Sequence, residues 1–243
     1  MRLTESKLPR ITIGYTYYNE PDFLKEQIKN WEQYPKEVEI VLVDDGSLEF
    51  PASDYLQNHK INNFRLFRVD EDLGFNSHGC RNLIAKIANA EFILLSDIDI
   101  IFSPETICML KRKKFQSDRV YRFNMYTSWD THLYDAPGHQ NIFLVSKESY
   151  WQADGYDESF TGYHHGDRPF LEKLSTVTKT GIFKDITYRC VRNKRDTVVV
   201  PGLEKPVYDD EKMILYLVEK EKTYAELEGT IKTKINFSYT QLL

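Results

Sequence analysis

Cysteine is scarce in this chain, and the few cysteines are far apart. Three occur among 243 residues, Cys80, Cys108 and Cys190, and no two of them form a C-x-x-C pair. An odd, dispersed set argues against a disulfide framework and against a zinc ribbon. We therefore expect a reducing compartment, and we predict a cytoplasmic location.

Long apolar runs are missing as well. No segment approaches the ~18 uncharged apolar residues that a membrane span needs, so we expect no integral membrane association. The first residues, MRLTESKLPR, lack the apolar region of a signal peptide. Basic charge is not in excess either, because 32 Lys and Arg stand against 37 Asp and Glu, a net charge of -5. This balance argues against a dedicated nucleic-acid binder.

Aromatic side chains are abundant, with 16 Tyr and 14 Phe, and they accompany a regular alternation of strand and helix patterns. Flat rings suit stacking on bases or sugars, and they suit an apolar core equally well. Strands are predicted at Ile11–Tyr17, Val38–Val43, Phe64–Val69 and Phe92–Leu95, with helical apolar spacing after each. This order predicts an α/β fold with an open, mostly parallel sheet. Ligands of such sheets bind at the carboxyl ends of the strands.

The second half of the chain is less regular. A helix is predicted from Pro104 with Ser103 as its N-cap, and a last strand at 187–191. Residues 208–228 have a charged helical pattern outside the alternation. We predict a main domain at 1–200, with a donor half at about 10–102 and an acceptor half at about 103–200, followed by a C-terminal helical extension at 201–243.

Two acidic pairs follow buried strands. Asp97 and Asp99 are one residue apart, so their carboxylates point the same way on a strand and are able to hold a hard divalent cation on a diphosphate. Asp44 and Asp45 are placed to accept hydrogen bonds from a base N–H or a ribose hydroxyl. Both pairs also fit a simpler interpretation as strand-ending residues, with Asp45 capping a turn and Gly46 at positive φ.

A third acidic residue, Asp167, follows a loop rich in Gly, Tyr and His. A positioned carboxylate there is able to take the proton from an acceptor hydroxyl, which is general-base chemistry. The alternative is that Asp167 is only a helix N-cap. His164 and His165 are neighbours and point apart on a regular backbone, so at most one of them is a ligand.

Basic residues give weaker signals. Arg81, in the loop and helix start DLGFNSHGCRN, is able to counter phosphate charge, although a surface arginine would look the same in sequence. The run Lys111 to Lys114 is typical of a solvated helix end. Together with Arg189, Arg192, Lys194 and Arg195, this run is also compatible with an acceptor that bears phosphate.

Taken in order, five segments resemble the nucleotide-sugar glycosyltransferases of the GT-A fold, specifically the family 2-like group. The segments are ITIGYTYYNE, VDDGS, DLGFNSHGCRN, LLSDIDIIF and GYDESF followed by GD. The resemblance covers about residues 10 to 175. It implies a Rossmann-like, mixed, mostly parallel sheet flanked by helices, and a UDP-sugar as donor.

The resemblance also implies roles for individual residues. Tyr18 would stack on the uracil beside Thr16 and Asn19, Asp45 would read the base, and Asp44 would assist at the ribose. Asp97 and Asp99 would be the DXD pair that holds Mn²⁺ or Mg²⁺, with His165 as a further ligand. Asp167 would be the base of an inverting, in-line displacement. The nucleotide-sugar binding set is Thr16, Tyr18, Asn19, Glu20, Asp44, Asp45, Gly74, Arg81 and Asp97, and the acceptor-side candidates are Trp129, Tyr163 and His164.

The sequence departs from the family pattern at two places. Many relatives have Glu-Asp where this chain has Gly166-Asp167, and His164 or His165 is a candidate to fill that space. Several relatives complete the metal shell with a late histidine, whereas the segment ITYRCVRNKRD offers Asn193 and no histidine. Transmembrane helices and a Q-x-x-R-W motif are both missing, which disfavours a processive synthase.

The leading prediction is therefore a soluble inverting glycosyltransferase that moves one hexosyl or N-acetylhexosaminyl group from a UDP-sugar to a glycan or another hydroxyl-bearing acceptor. A nucleic-acid acceptor is compatible with it. One alternative is a sugar-phosphate nucleotidyltransferase, although TYYNEP lacks the glycine and basic residue of its usual loop. The other is a degenerate, non-catalytic carbohydrate-binding domain.

Overall fold

The computed structural model describes residues 10–127, 133–134, 138–162, 166–192, 222 and 225–243. Within these residues, ten strands form one sheet that is flanked by six α-helices. The strands are β1 Ile11–Tyr17, β2 Val38–Asp44, β3 Phe64–Val69, β4 Phe92–Asp97, β5 Ile100–Ile101, β6 Arg119–Thr127, β7 Leu133–Tyr134, β8 Phe143–Ser146, β9 Lys179–Cys190 and β10 Tyr239–Gln241. The helices are α1 Pro21–Trp31, α2 Ala52–Leu56, α3 Ser77–Ile87, α4 Pro104–Leu110, α5 Lys147–Gln152 and α6 Asp167–Val177.

The strand order explains where a ligand would bind. The order is β10-β3-β2-β1-β4-β8-β6-β9-β5, and β7 pairs with β6. Strands β3, β2, β1 and β4 are parallel, while β8 joins β4 in the antiparallel sense. After β3 the chain crosses to the other side of β1, so the strand order reverses between β1 and β4. Open α/β sheets bind ligands outside the carboxyl ends of their strands at such a point.

Two apolar clusters cover the two faces of the sheet. In β2, Ile40 and Leu42 belong to one cluster, and Val41 and Val43 to the other. Burial on both faces explains why this strand is a continuous apolar run in the sequence. On one face α3 approaches β1 closely, since a Cβ atom on Gly14 would lie 2.2 Å from the Ile84 side chain. This close packing brings the first turns of α3 to the carboxyl ends of the strands.

The predicted α/β fold with a mixed sheet is confirmed, but antiparallel pairs dominate its second half. The last long strand is also longer than predicted: β9 begins at Lys179 rather than at residue 187. Its first half is mostly exposed, so it lacks the apolar alternation that marks a strand in sequence. No helix in the described ranges has the length and apolar character needed to cross a bilayer.

The structure does not show the predicted C-terminal helical appendage. Residues 239–241 instead form β10, which pairs antiparallel with β3, and residues 201–221 lie outside the described residues. The segment before β10 is anchored by the GYDE motif: Glu158 accepts hydrogen bonds from the backbone N–H groups of Ile235 and Asn236, at 2.5 and 2.9 Å. The end of the chain is thus an edge of the main sheet.

Candidate active site

A cleft of about 410 Å³ lies at the carboxyl ends of β1 and β4. Its volume falls within the range of small-molecule sites, roughly 300–1,000 Å³. Many of the predicted site residues line it, together with residues for which the sequence predicted no role. The described lining consists of Thr16, Tyr17, Tyr18, Glu20, Asp45, Phe75, Ser77, Arg81, Asp97, Ile98, Asp99, His139, Gln140, Asn141, Asp167 and Arg192.

The register of the parallel strands places the first predicted residues side by side. Thr16 of β1 pairs with Asp97 of β4, so the ends of both strands open into the cleft. Tyr18 follows β1, and its hydroxyl donates to the Asp72 carboxylate at 3.1 and 3.2 Å. That contact fixes the Tyr18 ring at the rim, between the end of β1 and the loop before α3.

Asp45 forms part of the cleft wall in an environment that favours its protonated form. Its Oδ2 accepts the backbone N–H of Asn76 at 2.8 Å, and the residue is 3% exposed. Burial raises the pKa of its carboxyl to about 7. Within the described part of the chain, its buried Oδ1 has no hydrogen-bond partner. The site therefore contains a shielded acceptor that a donor N–H would satisfy.

Two predicted nucleotide-binding residues shape the turn after β2 instead of lining the cleft. Asp44 accepts the backbone N–H groups of Ser47 and Ala52, at 2.9 and 2.8 Å, so it is Asp44 and not Asp45 that closes this turn. Asn19 is at φ +50°, and its Oδ1 accepts two backbone N–H groups of the same turn, those of residues 49 and 50. Like Gly74, neither residue is in the described lining.

One buried arginine joins the DXD pair to the predicted base. Arg81 of α3 donates to Asp97 Oδ1 and, at 2.8 Å, to Asp167 Oδ1. Its guanidinium carbon lies 5.3 Å from the centre of the Tyr156 ring. Asp167 is not the N-cap of α6, because Gly166 holds that position and Asp167 is the first helical residue. Its carboxylate instead faces the cleft beside Asp97.

A second arginine, Arg192, holds the other half of the DXD pair. Its Nε donates to Asp99 Oδ2 at 2.7 Å, and its Nη2 donates to both carboxylate oxygens of Glu20 at 2.6 Å. The pairing of β5 with β9 brings it there, since the backbone N–H of Val191 donates to Asp99 O at 3.0 Å. One signal was present in the sequence, because Arg192 lies in the segment ITYRCVRNKRD, where the family resemblance implies a histidine.

The donor set of the DXD pair suits a hard cation. Arg81 binds one oxygen of Asp97, and Arg192 binds one oxygen of Asp99. No hydrogen bond from another described residue reaches the remaining oxygens, Asp97 Oδ2 and Asp99 Oδ1. Among the described residues there is no group of three His, Cys, Asp or Glu that would hold a metal alone. A cation bound by the two aspartates would therefore complete its shell with ligand or water oxygens, as Mg²⁺ commonly does.

The place where relatives carry a glutamate is filled by a histidine from another element. A Cβ atom on Gly166 would lie 2.6 Å from His78 Nε2. The His78 ring packs 5.5 Å from the Tyr156 ring and 6.2 Å from the Phe160 ring. The glycine is thus required by the close approach of His78. His164 and His165, predicted for this space or the metal, lie outside the described residues, as do Tyr163 and Trp129.

Comparison with known proteins identifies the family of the sequence and the fold of the structure. The family model described as glycosyl transferase family 2 matches residues 12–168. A search of curated proteins finds no match to the chain.

Solved structures of the GT-A fold superpose on the chain. S. aureus TarS 1-349 matches with a TM-score of 0.64 and 18% identity over 75% of this chain and 60% of that one. The same protein in complex with UDP-GlcNAc matches with a TM-score of 0.65 and 18% identity over 86% and 66%. The mannosyltransferase PcManGT of Pyrobaculum calidifontis, in complex with GDP-Man and Mn²⁺, matches with a TM-score of 0.60 and 16% identity over 78% and 59%. The chain spans less than two thirds of each of these structures.

Proposed function

This chain belongs to glycosyl transferase family 2, and we propose that it transfers a single sugar from a UDP-sugar to an acceptor hydroxyl with inversion at the anomeric carbon. The observation that carries the proposal is the contact of Arg81 with both Asp97 and Asp167. One guanidinium holds the first DXD carboxylate and the proposed base on the same wall of the cleft. A sugar whose diphosphate lies at Asp97 would therefore have its anomeric carbon near Asp167.

Donor binding is proposed for the wall formed by Tyr18 and Asp45. The Tyr18 ring stands at the rim, where a flat base is able to stack on it. Asp45 Oδ1, which has no hydrogen-bond partner among the residues that the structure describes, would accept the N–H of uracil. TarS was solved with UDP-GlcNAc, which supports a uridine donor, whereas PcManGT was solved with GDP-Man. Guanine also offers N–H groups, so the choice of base is part of the test.

Charge in the cleft supports a divalent cation as cofactor. Five carboxylates and two guanidinium groups belong to the described lining, so a diphosphate would meet excess negative charge. Mn²⁺ or Mg²⁺ held by Asp97 and Asp99 would neutralise the diphosphate and stabilise the departing UDP. Glu20 and Asp99 are themselves compensated by Arg192 before the donor binds.

Asp167 is the proposed general base. Its Oδ1 is held by Arg81, which fixes the carboxylate, and Oδ2 is the oxygen that we propose takes the acceptor proton. As the acceptor oxygen bonds to the anomeric carbon, the bond from that carbon to the diphosphate oxygen breaks, the proton goes to Asp167, and UDP leaves. The proposed acceptor is a glycan or another hydroxyl-bearing molecule.

Replacing Asp167 by Asn tests this assignment. Asparagine keeps the size and the contact with Arg81 but accepts no proton, so we expect transfer to fall by at least about 100-fold, as for a lost general base. UDP binding should remain within a few-fold of wild type. The measurement is UDP release from a panel of UDP- and GDP-sugars, with calorimetric binding of UDP as control. Equal loss of transfer and binding would show a structural role, and UDP-sugar binding without any turnover by wild type would favour the non-catalytic domain.

A further inference from the structure

Arg192 is a charged cleft residue to which the family pattern assigns no role. It bridges two sides of the cleft, because Glu20 lies between β1 and α1 and Asp99 follows β4. The Arg192 side chain is 20% exposed, and those of Glu20 and Asp99 are 22% and 13% exposed. The three charges therefore interact with little screening by solvent.

The Arg192 guanidinium lies where a cation that neutralises Asp99 would bind. Asp99 Oδ2 is one of the four carboxylate oxygens of the DXD pair, and Arg192 Nε occupies it. A divalent cation on Asp99 would stand within a few ångströms of that guanidinium, and like charges at such distances repel. Binding of the metal and retention of this ion pair are consequently opposed.

The arginine also has the means to act elsewhere in the cleft. Nη1 has no hydrogen-bond partner in the described ranges, whereas Nε and Nη2 are taken by the two carboxylates. Its guanidinium carbon lies 4.8 Å from the centre of the Phe23 ring, so the planar group is supported on one side. A planar fork of donors suits phosphate oxygens as well as carboxylates.

We propose that Arg192 is an internal competitor for the cation site: it neutralises Asp99 and Glu20 in the donor-free protein, and it turns to the donor diphosphate when a divalent cation takes Asp99. The proposal rests on the proposed function, since it assumes a diphosphate donor and a cation on the DXD pair. It makes Arg192 a ligand of the leaving group and couples metal binding to donor binding.

The test measures two affinities on Arg192→Ala. Without nucleotide, Mn²⁺ alone should bind the variant more tightly, by about threefold or more, because the competing cation is gone. With saturating Mn²⁺, UDP should bind the variant about tenfold more weakly, because a charge-assisted hydrogen bond is lost. Free Mn²⁺ is followed by electron paramagnetic resonance and UDP by calorimetry. Opposite shifts of the two affinities are the signature of the exchange.

Arg189→Ala is the matched control. Arg189 lies in β9, three residues before Arg192, and forms an ion pair with Glu26. Its side chain is 46% exposed and outside the described cleft lining. Both affinities should stay at wild-type values in this variant. Arg192→Lys keeps the charge and should retain the competition with Mn²⁺ while binding UDP less well than arginine does.

The outcomes separate the inference from the function it rests on. Unchanged affinities in Arg192→Ala, or a weakening of both together with a lower melting temperature, would overturn the exchange and leave a structural ion pair. If wild type binds no nucleoside diphosphate with any divalent cation, the proposed function fails. The effect of Arg192→Ala on Mn²⁺ binding is still measurable in that case, and tighter binding would uphold the competition alone.

Discussion

The carboxyl group of Asp45 titrates near neutral pH, because burial raises its pKa from 3.8 to about 7. The folded protein therefore keeps this proton at pH values where the unfolded chain has lost it. Between about pH 4 and pH 7 this group makes the free energy of unfolding fall as the pH rises. Ligand binding has the opposite dependence, because Oδ2 already accepts the Asn76 N–H and only the ionised form keeps Oδ1 proton-free to accept a second N–H group.

We expect the affinity for UDP to rise about tenfold between pH 6 and pH 8, as the ionised fraction of Asp45 grows. Calorimetric titrations at constant ionic strength and saturating Mn²⁺ measure it. Asp45→Asn, which has no titrating group, should bind UDP more weakly and with a flat pH profile. A wild-type affinity that is constant across this range would contradict the role of Asp45 at the base.

The size of the side chain that fits at residue 166 depends on His78. A Cβ on Gly166 would lie 2.6 Å from His78 Nε2, and the imidazole is packed against aromatic rings. Introducing the relatives' residue, Gly166→Glu, should therefore lower stability by about 1–3 kcal/mol through overpacking. Thermal and urea unfolding measure the change.

The double variant Gly166→Glu with His78→Ala should be more stable than the sum of the single changes predicts, because the alanine removes the clash. His78→Ala alone supplies the reference for the cavity that it leaves. Strict additivity of the two changes would show that His78 does not set the size limit at residue 166.

At the scale of elements, β10 joins the end of the chain to the main sheet. It covers the edge of β3, where Tyr239 pairs with Val69 and its ring lies 6.3 Å from that of Phe67. The N–H groups of Ile235 and Asn236, bound by Glu158, precede this strand. The GYDE motif therefore has a second role besides preceding the proposed base: it fixes the segment that leads into β10.

Truncation after Asn236 should remove β10 while leaving the contacts to Glu158. The loss of the strand pairing and of the half-buried Phe237 and Tyr239 rings should cost about 2–4 kcal/mol, or roughly 5–15 °C in melting temperature. Light scattering should show self-association through the uncovered edge of β3. Gln241→Ala, at an exposed position of β10, is the control and should melt like wild type.

The molecule as a whole has a net charge of -5, and the cleft is also negatively charged. Carboxylates outnumber guanidinium groups there, so the site by itself opposes a diphosphate. The donor and the cation should therefore bind as a unit.

Melting curves test this dependence. UDP with Mn²⁺ should raise the melting temperature, since a ligand that binds only the folded state stabilises it, by about 2.7 kcal/mol at 100 times its dissociation constant. UDP with a chelator should give almost no shift. Asp99→Asn should remove most of the shift, and an equal shift with and without the cation would contradict a metal-dependent donor site.

Local patterns in the sequence determined the strands of the first half and the motifs at their ends. Strands β1 and β3 have the predicted bounds, because apolar alternation is a property of neighbouring residues. Asp45 and Asp97 line one cleft, because the carboxyl ends of parallel strands meet at one edge of a sheet. The family resemblance could also be recognised from the sequence, because it rests on the order of the motifs.

Long-range packing determines which distant residues meet these motifs. Arg192 binds Asp99 across 93 positions of the chain, His78 fills the space beside Gly166, and β10 covers the edge of β3 where the sequence predicted a helical appendage. None of these contacts follows from residue spacing, because each depends on how strands and helices pack after the chain has crossed the sheet. The sequence determined which acidic residues belong to the site. The fold determined which arginines pair with those residues and which side chains pack beside them.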